Sequence, residues 1–163
     1  MSNAKPIAVL DTDVASYLLK GVPIGWEYLA LLRSYRASVS FITAAELLLG
    51  AERRGWGARW RLQLDLLLAQ CSILPFKERM EHLYARVMVE RERAGKRLEK
   101  MDGWIATTAI YYDAPLVTHD SDFVGTPGLR IITASEEARA AQLRLPVVGR
   151  RPLNLDMRCQ CGL

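Results

Sequence analysis

The sequence predicts one α/β domain built on a mainly parallel sheet. Four short apolar runs, rich in Val, Ile and Leu and mostly not alternating with polar residues, are typical of strands covered on both faces, and a fifth run is weaker. Stretches with helical periodicity separate these runs, an alternation that favours parallel strands joined by helices. The chain has 163 residues, enough for one hydrophobic core.

The elements follow one another in a regular order. Strands are predicted over residues 7–10, 38–42, 72–76, 116–118 and 130–133. Helices are predicted over 14–19, 26–35, 44–54, 58–69, 77–94 and 103–112. We expect a single domain over 1–144. The remainder, 145–163, contains two prolines and no periodicity, so an irregular tail, disordered or ordered by a partner, is expected there.

Composition excludes several classes of protein. No apolar run approaches the roughly 20 residues that span a membrane, and no secretory signal is expected at the start. The three cysteines, Cys71, Cys159 and Cys161, make no disulfide framework, and with only two histidines they argue against a zinc site. A reduced cytoplasmic protein is expected. The net charge of +4 favours an anionic partner such as nucleic acid.

Acidic side chains recur where strands end. Asp11 ends the first strand, Glu46 follows the second, and Asp120 and Asp122 follow the fourth. Asp102 heads the helix that leads into the fourth strand, on the same helix face as an apolar, small-residue stripe. If these strands are neighbours, the carboxylates meet at one edge and raise one another's pKa. A hard divalent cation, Mg²⁺ or Mn²⁺, relieves such repulsion and can support phosphoryl displacement.

Each of these acids also has a purely structural explanation. Asp11 could simply be a polar residue where the chain leaves the core, and its neighbour Asp13 directly precedes a helix and is expected to be its N-cap. The run from Thr43 to Glu46 fits a capping box with Thr43 as the cap. Asp102 could cap its own helix, and Asp-Ser-Asp at 120–122 could form a turn. Taken singly, none of these acids decides between structure and function.

Together, four segments resemble a known family. They are "VLDTDV" with Asp11, "TAAELLLGAERR" with Glu46, "MDGWIATTAI" with Asp102, and "LVTHDSDF" with Asp120. In order, spacing and context they resemble the PIN-domain ribonucleases, most closely the VapC-type toxins of bacterial toxin–antitoxin pairs, over residues 7–133. The resemblance implies a three-layer α/β/α sandwich, one or two Mg²⁺ or Mn²⁺ ions, RNA cleavage, a homodimer and a cognate antitoxin.

The resemblance also implies roles for the acids. Asp11, Asp102 and Asp120 would ligate the metal directly. Glu46 would ligate through water or orient the attacking water, and Asp122 could substitute for or assist Asp120. The expected activity is hydrolysis of RNA phosphodiester bonds in the cytoplasm.

Basic residues near these acids are candidates for holding RNA phosphates. Lys96, Arg97 and Lys100 lead towards Asp102 in "RERAGKRLEK", and two further candidates, Arg53 and Arg54, follow Glu46 on its helix. Glutamates are mixed into the first segment, so a solvated helix end remains an equal explanation there.

Two other functions stay open. "DTDVA" resembles the opening motif of haloacid-dehalogenase phosphatases, in which Asp11 would be the nucleophile, but Glu46 and Asp102 would then lack roles. A catalytically silent PIN domain could act as a binding scaffold, although the complete acidic set argues against it.

Overall fold

Five parallel strands form a single sheet in the computed structural model, which describes residues 4–145. Their order is β3-β2-β1-β4-β5, and every neighbouring pair is parallel. The strands are β1 (Ile7–Leu10), β2 (Arg36–Ser40), β3 (Ser72–Leu74), β4 (Leu116–Val117) and β5 (Ile131–Ile132). The predicted fold class is confirmed.

Seven helices connect and follow these strands within the described residues. They are α1 (Thr12–Lys20), α2 (Pro23–Leu31), α3 (Phe41–Arg53), α4 (Ala58–Gln70), α5 (Met80–Arg93), α6 (Lys100–Tyr111) and α7 (Glu136–Leu143). Two short 3-10 helices cover Leu32–Ser34 and Ser121–Phe123. No helix within residues 4–145 has the length and apolar character needed to cross a membrane.

Alternate residues of the strands reach two separate cores. Ala8 and Leu10 of β1 pack into a cluster with α1, α2, α3 and α4 on one face of the sheet. Val9 packs on the other face, with Leu116 and the buried side of α6. Successive side chains of a strand point to opposite faces, so a sheet covered on both sides needs apolar residues at consecutive positions. This is the physical basis of the unbroken apolar runs, and it gives the three-layer sandwich.

The boundary between β2 and α3 differs from the prediction. Ser40 is the N-cap of α3, and its Oγ accepts a hydrogen bond from the backbone N–H of Thr43 at 2.9 Å. Phe41 and Ile42 are therefore helical rather than extended, and the predicted capping box with Thr43 as the cap is wrong. Thr43 lies buried inside the helix. A serine three residues earlier supplies the same capping bond.

Other element ends also shift. β3 stops at Leu74, before Pro75, two residues earlier than predicted. α5 starts at Met80 rather than at residue 77, after Arg79 in a left-handed conformation with φ 74°. α7 was not predicted; Ser135 caps it by accepting from the N–H of Ala138 at 3.2 Å. Beyond Leu145, the predicted tail lies outside the residues that the structure describes.

Candidate metal and active site

Three adjoining strands bring the predicted acids to one edge of the sheet. β2, β1 and β4 are neighbours. Asp11 directly follows β1, and Asp120 follows shortly after the end of β4 at Val117. Glu46 lies on α3, which follows β2, and Asp102 lies in the first turn of α6. The negative charges of Asp120 and Glu46 act on Asp102, and that of Asp102 acts on Asp11. The four carboxyl groups therefore form one electrostatic cluster.

Asp11 is the most deeply buried member. Its side chain is 5% exposed. Oδ1 accepts from the backbone N–H of Thr12 at 2.6 Å, and Oδ2 accepts from Thr118 Oγ1 at 2.7 Å. Burial is the main reason why the pKa of Asp11 is raised to about 7, although these two hydrogen bonds lower it; the negative charges of Asp13 and Asp102 raise it further. The carboxyl group is held in place but carries a charge that its surroundings disfavour.

Asp11 is also the N-cap of α1. Asp13, predicted to be that cap, instead lies exposed inside the first turn of the helix. That prediction is wrong because only Asp11 lies between the end of β1 and the start of α1, so Asp11 itself occupies the capping position. Asp11 is therefore both the cap of α1 and a candidate metal ligand.

Asp102 is the third residue of α6, and the N-cap of that helix is Glu99. The alternative explanation of Asp102 as a cap is therefore wrong. Its helix face continues into the buried residues Ile105, Ala106 and Ala109, as the spacing predicted. Burial, followed by the negative charges of neighbouring carboxylates, raises the pKa of Asp102 to about 6.

Glu46 is linked to Asp11 through Thr12, the first residue of α1. Thr12 Oγ1 donates to Glu46 Oε2 at 2.5 Å, while the N–H of Thr12 donates to Asp11. One threonine therefore orients two of the four acids. Glu46 is partly buried on the sixth position of α3.

Asp120 and Asp122 form the turn that their sequence predicted. Asp120 Oδ1 accepts from the N–H of Asp122 at 2.8 Å, which starts the 3-10 helix Ser121–Phe123. The N–H of Asp120 donates to Thr118 Oγ1 at 3.0 Å. Asp120 is partly buried beside the cluster, whereas Asp122 is exposed. Asp122 still contributes to the raised pKa of Asp102, as the smallest named cause.

Thr12 and Thr118 were missed by the sequence reasoning. Thr118 links Asp11 to the backbone of Asp120, and Thr12 links Asp11 to Glu46. The available signal was their position, because one follows Asp11 directly and the other lies two residues before Asp120. His119, beside Thr118, hydrogen-bonds through Nδ1 to the hydroxyl of buried Tyr28 at 2.9 Å.

The predicted phosphate-binding cations fall into two groups. Lys96 and Arg97 line a cavity together with Asp122. Lys100 is the first residue of α6 and is exposed. Arg53 is exposed in the last turn of α3, seven residues beyond Glu46 and so roughly 10 Å further along the helix axis. Arg54 caps the same distant end. Lys96 and Arg97 therefore lie beside the acidic edge, whereas Arg53 and Arg54 lie away from it.

The donor set suits a hard divalent cation. Within residues 4–145, no three acidic, histidine or cysteine side chains are grouped closely enough to form a finished metal site. The cluster nevertheless offers carboxylate oxygens, the donors that Mg²⁺ and Mn²⁺ prefer. The raised pKa values of Asp11 and Asp102 mark negative charge that a cation would offset. Mg²⁺ keeps several waters and is bound through one or two carboxylates, so it does not need a closed cage.

Comparison with known proteins agrees with this geometry. A family model described as "PIN domain" matches residues 8–129. The VapC ribonuclease Y4jK of Sinorhizobium fredii is 33% identical over 140 residues, covering 80% of this chain and 99% of the relative.

Solved structures show the same fold. VapBC2 from Rickettsia felis, bound to a DNA fragment from its promoter, superposes with a TM-score of 0.70 at 27% identity, over 78% of this chain and 98% of that one. VapBC-1 from nontypeable Haemophilus influenzae gives 0.65 at 30% identity, over 78% and 97%. The resemblance first found in the motifs is confirmed: the chain belongs to the PIN-domain family and, within it, to the VapC-type ribonucleases.

Proposed function

We propose that the protein is a divalent-metal-dependent endoribonuclease and the toxin of a toxin–antitoxin pair. One observation carries the proposal: Asp11 and Asp102, with pKa values raised to about 7 and about 6, lie beside two further carboxylates at the carboxyl edge of the sheet. Groups with strongly perturbed pKa values at such an edge are typical of active sites.

Asp11, Asp102 and Asp120 are the residues that would hold Mg²⁺ or Mn²⁺, with Glu46 acting through water. When bound, the ion supplies positive charge that stabilises the phosphate transition state and favours ionisation of water. A positively charged neighbour would also return the pKa values of Asp11 and Asp102 towards their usual range.

The remaining chemistry belongs to the side chains themselves. Thr118 holds Asp11 and the backbone of Asp120 in a fixed relation, and Thr12 holds Glu46 against Asp11. Glu46 uses Oε2 for that contact, so Oε1 remains to orient an attacking water and to accept its proton. The two threonines are positioning residues.

The test is cleavage of total cellular RNA by the purified protein with Mg²⁺ or Mn²⁺, with EDTA, and with two matched variants. We expect internal cuts by the wild-type protein that disappear in EDTA and in Asp11→Asn. Asp65→Asn is the control, because Asp65 is exposed on α4 and its replacement makes the same change of charge. Intact RNA with metal-loaded wild-type protein would contradict the proposal.

The same preparation separates the alternative functions. A haloacid-dehalogenase-type phosphatase would instead hydrolyse a small phosphate ester such as p-nitrophenyl phosphate. A silent scaffold would do neither, yet would still bind its partner.

A cognate antitoxin, a homodimer and a cytoplasmic location are also part of the proposal. The two solved relatives named above are VapBC complexes. Co-expression with the product of a short neighbouring reading frame should give a stable complex that no longer cleaves RNA. Light scattering on the protein alone should give twice the mass of one 18.3 kDa chain.

A further inference from the structure

A cavity of about 460 Å³ opens beside the acidic edge and has no role in the chemistry described so far. The connection between α5 and α6, the 3-10 helix after Asp120, and α7 form its walls. Four cations line it, Arg91, Lys96, Arg97 and Arg144, against two carboxylates, Asp122 and Glu137. Counting formal charges, four minus two leaves +2 on the lining.

Arg91 makes the positive charge of this cavity unusual. It is 1% exposed and is among the largest fully buried side chains. Nη1 donates to the carbonyl of Val124 at 3.0 Å, and Nη2 donates to the carbonyl of Asp122 at 2.5 Å. Both acceptors are neutral, and Nε has no hydrogen-bond partner among the described residues.

Among the described carboxylates, none comes within salt-bridge distance of Arg91, although Asp122 acts on it at longer range. A buried cation without a paired anion is strongly unfavourable in a protein interior. An anion bound in the cavity would relieve that cost.

The other cations of the lining can receive such an anion. Glu137 Oε1 accepts from Ser121 Oγ at 3.2 Å, which partly satisfies that carboxylate. Arg97 meets Glu92 only at 3.9 Å, with both side chains well exposed, so this pair is weak. Arg144 and Lys96 are exposed and line the cavity from different segments of the chain.

The cavity and the candidate active site share a wall. Asp120 belongs to the acidic cluster, and its Oδ1 accepts from the N–H of Asp122, whose side chain lines the cavity. RNA carries its phosphates in a continuous row, so a strand with one phosphate at the acidic edge presents another nearby.

We propose that this cavity is a phosphate subsite, which holds a backbone phosphate of the RNA next to the one that is cleaved. Lys96 and Arg144 contact the phosphate, and Arg91 supplies a fixed charge beneath it. The inference rests on the proposed function, because it takes RNA as the ligand.

The test measures RNA binding without cleavage. A short fluorescein-labelled RNA of mixed sequence is titrated in EDTA at several salt concentrations, and binding is followed by fluorescence anisotropy. The variant is Lys96→Ala with Arg144→Ala, which spares the buried Arg91 and hence folding. The control is Arg33→Ala with Arg59→Ala, which makes the same change of charge at exposed positions of the 3-10 helix Leu32–Ser34 and of α4.

We expect the Lys96/Arg144 variant to bind about tenfold more weakly, with a salt dependence shallower by about 0.7, the slope of one phosphate contact on a single strand. The control loses the same net charge, so its affinity and its salt dependence should change only by the smaller amount that this loss of charge causes. Equal losses in variant and control would overturn the proposal. So would equally tight binding of polyglutamate with the same loss in the variant, because the cavity would then accept acidic peptides.

Failure of the subsite and failure of the proposed function give different results. Metal-dependent RNA cleavage by wild-type protein, combined with unchanged binding by the Lys96/Arg144 variant, overturns the subsite alone. Selective loss of RNA binding by that variant, in a protein that cleaves nothing, supports the subsite and contradicts the proposed activity.

Discussion

Replacing Asp102 by asparagine should leave the metal-free protein as stable as before, or more stable. Burial and neighbouring carboxylates raise the pKa of Asp102 from 3.8 to about 6. A carboxyl group with a raised pKa in the folded state contributes stability below its unfolded pKa, and loses that contribution as the pH rises through the folded value. At pH 7.5 the ionised side chain therefore opposes folding, and asparagine removes that charge.

The size of the effect follows from the same shift. A rise from 3.8 to about 6 corresponds to about 3 kcal/mol at roughly 1.36 kcal/mol per pKa unit. Asp102 is only partly buried, so solvent screening reduces this to about 1 kcal/mol. Loss of a negative charge from the first helical turn costs about 0.3–1 kcal/mol. The net change in the free energy of unfolding should lie between about zero and a gain of about 0.7 kcal/mol, or at most about 3 °C in Tm.

Thermal unfolding followed by circular dichroism in EDTA, at pH 7.5 and at pH 4, measures this difference. Any gain should shrink at pH 4, where wild-type Asp102 is protonated, and Asp65→Asn should show no such dependence. Millimolar Mg²⁺ or Mn²⁺ should raise the Tm of the wild-type protein, because ligand at a hundred times Kd adds about 2.7 kcal/mol to the free energy of unfolding. Most of that rise should be absent in Asp102→Asn. A Tm more than about 3 °C lower in EDTA at pH 7.5 would refute the reasoning, because Asp102 would then be structural.

Three further predictions concern single side chains. Thr118→Val removes the hydrogen bond to Asp11 Oδ2, so RNA cleavage should fall about 10–100-fold and the pKa of Asp11, read from the pH dependence of stability, should rise further; an unchanged rate would remove Thr118 from its positioning role. Gly103→Ala would place a Cβ against Met88 Sδ and 2.9 Å from Tyr84 Cε2, so urea unfolding should show a loss of about 1–3 kcal/mol, whereas a neutral result would mean that both side chains move aside freely. Asp13→Asn should keep wild-type cleavage in the RNA assay, because Asp13 is exposed and only adds its negative charge to those that raise the pKa of Asp11; loss of cleavage would place it in the site.

The fold class and the site edge could be predicted because each depends on a local pattern. Consecutive apolar residues in β1 indicated a strand covered on both faces, and Ala8 and Val9 do enter different cores. Acids placed just after the strands pointed to the carboxyl edge of the sheet. Asp102 was assigned to the buried face of α6 from the spacing of Ile105 and Ala106, and both are fully buried.

The sequence alone could not predict which residues cap the helices. Two candidate caps stand close together at the start of each helix: Ser40 and Thr43 for α3, and Asp11 and Asp13 for α1. All four are residue types that cap helices well. Which of them caps depends on where the strand stops pairing with its neighbours. β2 pairs through Ser40, and β1 runs directly into α1, so the earlier residue is the cap in both cases.

By itself, the sequence determined the residue types, their order along the chain and therefore the family. Only the tertiary structure decided that β2, β1 and β4 adjoin, that Thr12 and Thr118 link Asp11 to Glu46 and to the backbone of Asp120, and that α7 closes a basic cavity beside them. The reason is physical: these are contacts between residues far apart in the chain. Thr118 Oγ1 and Asp11 Oδ2, 107 residues apart, meet at 2.7 Å because parallel pairing of β1 with β4 places their ends side by side.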